Sequence, residues 1–325
     1  MLNKLWRDLN SKPPKIIYDF GEELNFYYFQ FEDKKKKLNR LIHSFDENGV
    51  PINKTYIDVE NGQPHYYPIS IGQYGLAIFH TWLKSKEKNK NKQFLNIADW
   101  FVENQTNDEN LGAYWLTNVP KPEFHVTQPW KSAFSQSRAI SILLRAWQIT
   151  KEPKYANTAS KALLPFTFSI YDGGVAADFD SDKAFFEEYV AEKPTRVLDG
   201  AIFSMFGIMD YARVSKNPDF PLVKDDLTED LIKKGINGLK YWLPKFDMGY
   251  WVYYNRCELA GYPQNDPCTI GYLKLVVAQL RILARYSNDQ TLLDYSNKFE
   301  EYLRFKNIIK MYRQKFIALK KLNRL

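Results

Sequence analysis

The strongest constraint in this chain is a helical period that comes in pairs. From residue 68 onward, apolar residues recur at three- and four-residue spacing. Eight candidate helices follow, at roughly 70–86, 93–105, 131–150, 154–169, 196–215, 226–243, 268–287 and 291–305. The first carries Ile71, Tyr74, Leu76, Phe79 and Leu83, and the third carries Ala139, Ile142, Leu143, Ala146 and Trp147 on one face. After the second helix of three pairs comes a glycine and then extended residues: Gly112-Ala-Tyr-Trp115, Gly173-Gly-Val-Ala-Ala177 and Gly249-Tyr-Trp-Val-Tyr-Tyr254. Glycine permits the positive φ that ends a helix, and an extended stretch then projects side chains to alternate sides. Helical hairpins repeated this way predict a mainly α fold: an α/α toroid, or incomplete α/α barrel, of about four hairpins. Loops at one end of such a ring would form a cleft. A plain helical solenoid is the alternative, and it would lack the recurrent aromatic loop.

Three regions are expected. Residues 1–67 read as an irregular N-terminal arm, punctuated by Pro13, Pro14, Gly21, Gly49, Pro51, Gly62 and Pro64. Short alternating pieces, NFYYFQF and TYIDVE, suggest hairpin strands there. Residues 68–305 form the toroid. Residues 306–325 close the chain as a basic amphipathic helix. From Arg304 to Leu325 there are eight Lys or Arg and no acid, with Ile308, Ile309, Met311, Phe316, Ile317, Leu319 and Leu322 interspersed. Two readings stand for that tail: a helix lying on an anionic membrane surface, or a terminal helix packed on the ring with a basic outer face.

Aromatic residues make up 16% of the 325, with 22 Tyr, 22 Phe and 8 Trp. They fill a large helical core, and Tyr and Trp also offer a flat apolar face with a polar edge that suits sugar rings. The net charge of +7 favours anionic partners such as an acidic polysaccharide or membrane. The runs Lys34–Lys37 and 84–92 (KSKEKNKNK) read as solvated loops. Two cysteines, Cys257 and Cys268, exclude a disulfide scaffold. The start, MLNKLWRDLNSKPPK, has no apolar core of a secretory signal, and no run of about 18 apolar residues spans a membrane. A cytoplasmic protein is expected, with the basic tail able to hold it at the inner membrane face.

The four histidines, His43, His65, His80 and His125, show no metal-ligand spacing, and neither a phosphate loop nor a nucleophile elbow is present. Neither a metal nor another cofactor is expected. Carboxylates, tyrosines and arginines remain. The stretch 183–213, KAFFEEYVAEKPTRVLDGAIFSMFGIMDYAR, concentrates them. Glu187, Glu188 and Tyr189 precede an apolar helix in which Gly200 and Gly207 lie seven apart, on one side, where another backbone can pack close. Tyr253, Tyr254 and Arg256 follow helix six, and Tyr272 begins helix seven.

Several separate blocks then agree with one family. YPISIGQYGLA at 67–77, NQ at 104–105, WKSAFSQSRAISILLRAWQIT at 130–150, EEYV at 187–190, LDGAIFSMFGIMD at 198–210, YYNR at 253–256 and Tyr272 seven before Gln279 keep order and spacing. Over about residues 65–305 the chain resembles the C-terminal catalytic domain of the heparan sulfate D-glucuronyl C5-epimerase family. The resemblance implies an α/α toroid that converts D-glucuronate to L-iduronate within an anionic polysaccharide, and it suggests a homodimer. Carried over by motif, the catalytic candidates are Glu188, Tyr189, Tyr253 and Tyr272. Arg256 matches an arginine close to substrate, and Tyr74, Trp130, Gln136, Arg196 and Tyr254 are further substrate-binding candidates.

The chemistry needs these residue types. Epimerisation removes the proton α to a carboxylate and returns one from the opposite face through an enolate-like dianion. That dianion calls for a cation such as Arg256. A phenol, with an unperturbed pKa near ~10, needs a nearby cation to act as base. Tyr189 with Glu188 on one face and Tyr272 or Tyr253 on the other would satisfy this.

Two departures bear on the substrate. The histidines that follow the helix tyrosine in the family are absent here, where the sequence runs Tyr272-Leu-Lys-Leu-Val. The family's long β-rich N-terminal domain is replaced by the 1–67 arm. A capsular, lipopolysaccharide or lipid-linked glucuronate glycan fits better than an animal heparan precursor, and nucleic acid is not expected as a partner. Other classes remain open from the residues. A polysaccharide lyase begins with the same proton abstraction. A glycoside hydrolase would pair Glu188 with Asp199 or Asp210. A non-catalytic glycan-binding protein could keep the ring alone.

Overall fold

The computed structural model describes residues 9, 10, 12–34, 39–56, 59, 62–127, 129–222 and 226–324. All eight expected helices are present as four hairpins: α1 Pro68–Ser85 with α2 Lys88–Glu103, α3 Ala133–Thr150 with α4 Pro153–Lys161, α5 Leu198–Val214 with α6 Leu227–Phe246, and α7 Ile270–Ser287 with α8 Gln290–Glu301. A ninth helix, α9 Phe305–Lys321, follows. The first helix of each hairpin is inner, and the inner helices pack in the series α1–α3–α5–α7 while each outer helix packs on its own partner. This is an incomplete α/α toroid.

The two ends of the ring differ, and the difference is written in the backbone. At one end three hairpins turn within two residues. Lys86, Lys151 and Asn288 adopt the left-handed conformation (φ 58°, 61° and 52°) and their N–H groups donate back to the last helical turn. Pro153 then starts α4, and Asp289 caps α8 by accepting from the Leu292 N–H. At the other end the connections are long: 104–132, 162–197 and 247–269. The glycines that the repeat singled out sit in these long loops and do not end the hairpin helices, although Gly173 caps a short 3-10 turn, Ile170–Asp172. Gly112, Gly173 and Gly249 have φ of 73°, 85° and 74°, but they bend short turns inside the loops, as where Gly112 opens β5 (Gly112–Tyr114) against β4 (Thr106–Asp108). The tight turn at Lys86 also corrects the reading of 84–92, because Lys88–Lys92 already form the first turn of α2. Lys35–Lys37 lie outside the described residues.

The N-terminal arm contributes core. Tyr27, Tyr28 and Phe29 are at most 1% exposed and pack edge-on or tilted against Phe203 and Phe206 of α5. The arm crosses the C-terminal halves of all four inner helices. The Tyr27 N–H donates to His80 of α1 (3.0 Å), Gln148 of α3 donates to the Glu22 carbonyl (2.7 Å), Arg213 of α5 donates to the Gly21 and Glu23 carbonyls (3.1 Å each), and Phe20 packs edge-on to Tyr286 of α7. Arg138 of α3 donates to the Tyr27 hydroxyl (2.7 Å). The NFYYFQF segment is an extended plug that pairs antiparallel with residues 15–17 through a single bridge, Ile16 with Phe29, so the expected hairpin is present in minimal form. The small sheet uses other residues, β1 Ile42–Phe45, β2 Pro51–Asn53 and β3 His65–Tyr66, in antiparallel order. TYIDVE forms no strand among its described residues. With the arm across one end, the long loops and the inner-helix N-termini meet at the opposite end and frame a cleft there.

Candidate active site

Glu187 and Glu188 follow β7 (Phe185–Phe186), which pairs with β6 (Ala176–Ala177). Successive residues of an extended segment point to opposite sides, so the two carboxylates part. Glu187 is fully buried and structural. It accepts from Thr195 Oγ1 (2.6 Å) and from the Arg196 N–H (2.9 Å), while its carbonyl accepts from the Ala133 N–H (2.8 Å) at the start of α3. Burial pushes its carboxyl up to about 7.

Glu188 turns the other way, onto the first turn of α5. A Cβ built on Gly200 would lie 2.3 Å from its Oε2 and 2.5 Å from its Cβ, so only glycine admits this carboxylate. Asp199, one residue earlier on that turn, is 6% exposed. Both acids are pushed up, chiefly by burial. The Asp199 charge raises Glu188 further, while the Tyr189 hydroxyl and Lys121 oppose the rise; at Asp199 the opposition comes from the N–H groups of Asp199 and Gly200. The pair therefore titrates close to neutrality and shares its protons.

A chain of aromatic rings ends on this pair. The Tyr67 ring lies between Tyr56 and Trp130 (6.2 Å each), and Trp130 leads on to Tyr189, whose hydroxyl counters the rise of the Glu188 carboxyl. The Tyr189 ring packs against Phe124 (5.0 Å) and Trp130 (5.1 Å). Lys121 is 3% exposed. Its ammonium lies 5.0 Å over the Tyr189 ring and 4.1 Å over the Tyr56 ring, paired with Glu123 at 2.6 Å. A lysine this buried is seldom found without a partner, and here the partners are two phenol faces and a carboxylate. A second tyrosine pair, Tyr254 and Tyr272, meets edge-to-face at 5.5 Å. Both phenols are pushed well up by enclosure and then by each other or by the Asp199 and Glu188 charges. Tyr272 still keeps 40% of its surface open, which is what a deep cleft reached by solvent requires.

The four inner helices all begin at this cluster, behind Tyr67, Ser132, Val197 and Thr269. Helix N-termini carry partial positive charge and free N–H groups, so four of them converging favour an anion. Gln279 of α7 donates to the Asp199 carbonyl (2.8 Å) and fixes α5 against α7 there. Beside Trp130 an open groove of about 370 Å³ runs between Leu116, His125, Lys131, Gly173 and Ala191. Among the described residues no cluster of His, Cys, Asp and Glu could hold a metal.

The structure thus brings together Glu188, Tyr189, Trp130, Tyr254 and Tyr272. It does not bring Tyr253 to them: that hydroxyl donates outward to Asn265 (3.0 Å), and Arg256 lies 4.5 Å over the Tyr253 ring. Alternation along the extended segment sends Tyr254 inward instead. Arg196 is locked between Asp178 (2.8 Å) and Glu258, over the Trp242 ring. Gln136 is in the core, tying the Ala113 and Ala162 carbonyls (2.8 and 3.0 Å). Tyr74 lies two turns along α1, against Gln93 and Phe45. In this structure these three lie outside that cluster. Asp210, weighed as a carboxylate partner of Glu188, is instead buried between Arg145 (2.6 Å) and Arg213 (2.8 Å). Sequence reasoning missed Lys121, Glu123, Tyr56 and Tyr67. Lys121 and Glu123 flank Pro122 in a loop without periodicity, and Tyr67 stood in a matched block without being singled out.

An α/α toroid with an aromatic, acid-lined cleft at its helix N-termini defines the class as one of the carbohydrate-active toroids. Within it the family is settled: the model described as D-glucuronyl C5-epimerase C-terminus matches residues 109–301, and the chain belongs to that family. The D-glucuronyl C5-epimerase of Caenorhabditis elegans is 25% identical over 238 residues, covering 72% of this chain. The chain spans only 38% of that relative's length. An uncharacterised protein of Methanocaldococcus jannaschii is 24% identical over 250 residues, covering 72% of this chain and 76% of that protein. Among solved structures, the cellobiose 2-epimerase of Spirochaeta thermophila aligns with a TM-score of 0.48 at 12% identity, over 82% of this chain and 65% of the other. A family 76 glycoside hydrolase from a bovine Bacteroides thetaiotaomicron strain aligns with a TM-score of 0.41 at 11% identity, over 71% and 46%.

Proposed function

We propose that this chain is a uronyl C5-epimerase acting on glucuronate residues inside an anionic glycan. The observation that carries the reading is the Lys121–Tyr189–Glu188 arrangement facing a second tyrosine pair, Tyr254 and Tyr272, where four helix N-termini converge. The uronate carboxylate sits at those N-termini and near Lys121. As the C5–H bond breaks, the proton passes to Tyr189, the Tyr189 proton passes to Glu188, and the bonding electrons move into the carboxylate as an enolate dianion. Tyr272 then donates its proton to C5 from the other face, which inverts the centre. Glu188 suits this role because its raised carboxyl is a far stronger base than an exposed glutamate. The Lys121 cation and the helix N-termini favour the dianion over the ground state. The neighbouring sugars of the polymer extend along Trp130 into the groove beside it.

The test is NMR of glucuronate-containing glycans incubated with the protein in D₂O, an N-sulfated heparosan and capsule-type glycans side by side. Deuterium at C5 with iduronate signals, at unchanged chain length, is the expected result. The exchange should vanish in Tyr189→Phe. Chain cleavage leaving a C4–C5 double bond would make the protein a lyase. Absence of exchange on a glycan that binds would leave it a binding protein.

A further inference from the structure

The terminal helix α9 is held to the body by one buried face and, at its flank, by Lys310 over the Tyr250 ring (3.7 Å) and Lys321 at the Tyr262 carbonyl (3.5 Å). Ile308, Met311 and Ala318 are buried, and Lys315 pairs with Asp266 at 2.6 Å. On the outward face Phe305 is 73% exposed, Ile309 43%, Phe316 44% and Ile317 60%. At 100° per residue, Phe305, Ile309 and Phe316 fall within one narrow stripe. Lys306, Arg313 and Lys320 fall beside it, with Lys310 and Lys321 next and Ile317 among them. No acid occurs from residue 302 to 325. The last turn of α9 adjoins the site, where Leu322 packs on the cluster that holds Tyr189, and Arg324 pairs with Glu123.

We infer that α9 docks the protein on an anionic lipid bilayer surface. The apolar stripe enters the headgroup–acyl boundary and the basic row meets the anionic headgroups, the two halves an interfacial helix needs. Charge selects this occupant over the others. A second copy of the chain, paired two-fold, would set basic row against basic row with no acid on either helix. Nucleic acid would satisfy the cations but leave two exposed phenylalanines and two isoleucines facing phosphate and water. The C-terminal end of α9 adjoins the site through Leu322 and Arg324, so a glycan anchored in the same bilayer would be presented beside it. The inference stands whether or not the epimerase reading holds, since it rests on α9 alone.

Flotation of the full chain with vesicles tests it. Binding to phosphatidylcholine vesicles containing phosphatidylglycerol is expected, falling with salt, with little binding to phosphatidylcholine alone. The double variants F316E/I317E and K306E/R313E should each lower the bound fraction at least about tenfold while keeping the native melting temperature. Tyr171→Glu, at another exposed aromatic (67% exposed), should bind as the native chain does. Absence of flotation with the anionic vesicles, or flotation unchanged in both double variants, overturns the proposal. A dimer dissolved by F316E/I317E in a chain that does not float would assign the face to a second copy instead.

Discussion

Gly200 and Gly207 lie two turns apart on α5 and both lack a Cβ for steric reasons, but their substitution should fail in different ways. In Gly207→Ala the new Cβ would stand 2.4 Å from Ser137 Cα and 2.7 Å from its carbonyl oxygen. Carbon contacts settle near ~3.5–4.0 Å, so α3 and α5 must separate by roughly 1 Å. Both are fully buried central helices, and the Gly207 N–H to Ser137 Oγ bond (2.8 Å) is strained in the process. Overpacking of this kind costs about 1–3 kcal/mol, against which alanine's helix propensity returns about 1 kcal/mol. In Gly200→Ala the obstacle is Glu188, at 2.3 Å from Oε2 and 2.5 Å from Cβ. A loop yields more easily than a helix, so stability should change less. Yet the residue that yields carries the carboxylate and is followed by Tyr189, and a shift of roughly 1 Å in a reacting group lowers turnover by about 10²-fold. The assay is C5–deuterium exchange measured beside thermal denaturation. Gly200→Ala is expected to keep most of its melting temperature and lose exchange; Gly207→Ala should melt several degrees lower and, while folded, keep exchange. Wild-type exchange in Gly200→Ala would refute the placement of Glu188. Loss of exchange in both, in step with unfolding, would refute the distinction.

Four further outcomes are expected. Tyr254→Phe should slow exchange at least about tenfold and Tyr253→Phe should leave it unchanged, since only Tyr254 reaches the cluster; the reverse result would restore the assignment made from sequence. Lys121→Met should move the alkaline-going rise of the exchange rate to higher pH, because Lys121 lowers the Glu188 carboxyl; an unshifted profile would remove Lys121 from the site. Glu187 binds its proton more tightly folded than unfolded, so the stability it supplies is full below about pH 4 and is lost as pH rises toward about 7. That difference amounts to at most about 3 kcal/mol, and denaturant unfolding of Glu187→Gln should show a flatter decline between those values. Asp210→Asn leaves Arg145 and Arg213 buried without their counter-charge, and should destabilise the fold by about 3–5 kcal/mol in urea unfolding.

The hairpins were legible because each inner helix buries a face for four or five turns, and a long period survives noise in single positions. The turn lengths were not. Lys86, Lys151 and Asn288 carry the left-handed backbone that glycine usually supplies, so the sequence around 84–92 looked like a solvated loop where it is a two-residue turn. The glycines that did stand out, Gly112, Gly173 and Gly249, use positive φ inside loops whose bends have no period. The aromatic plug Tyr27–Phe29 keeps one bridge of the expected hairpin, Ile16 with Phe29, and spends the rest of its length packed on α5, which its alternation alone does not show.

The site divides along the same line. Glu188, Tyr189 and Tyr272, proposed from motifs at the edges of periodic elements, lie together at the cleft. Lys121, Glu123 and Tyr67 come from loops or a helix boundary, and nothing one-dimensional says that Lys121 passes over Tyr189. The choice between Tyr253 and Tyr254 turned on a single alternation of an extended segment, and only its pairing with Pro267 and Val197–Asn255 fixes the phase. What unites these residues is the polarity of the toroid. The arm crosses the C-terminal ends of the inner helices, three of the four hairpins turn there within two residues, and the connections 104–132, 162–197 and 247–269 all fall at the N-terminal ends. The four inner-helix N-termini lie at this cleft, and the carboxylates beside them, Glu188 and Asp199, are pushed toward their neutral forms by burial. On the proposed reading, that lowers the repulsion a substrate carboxylate would meet there.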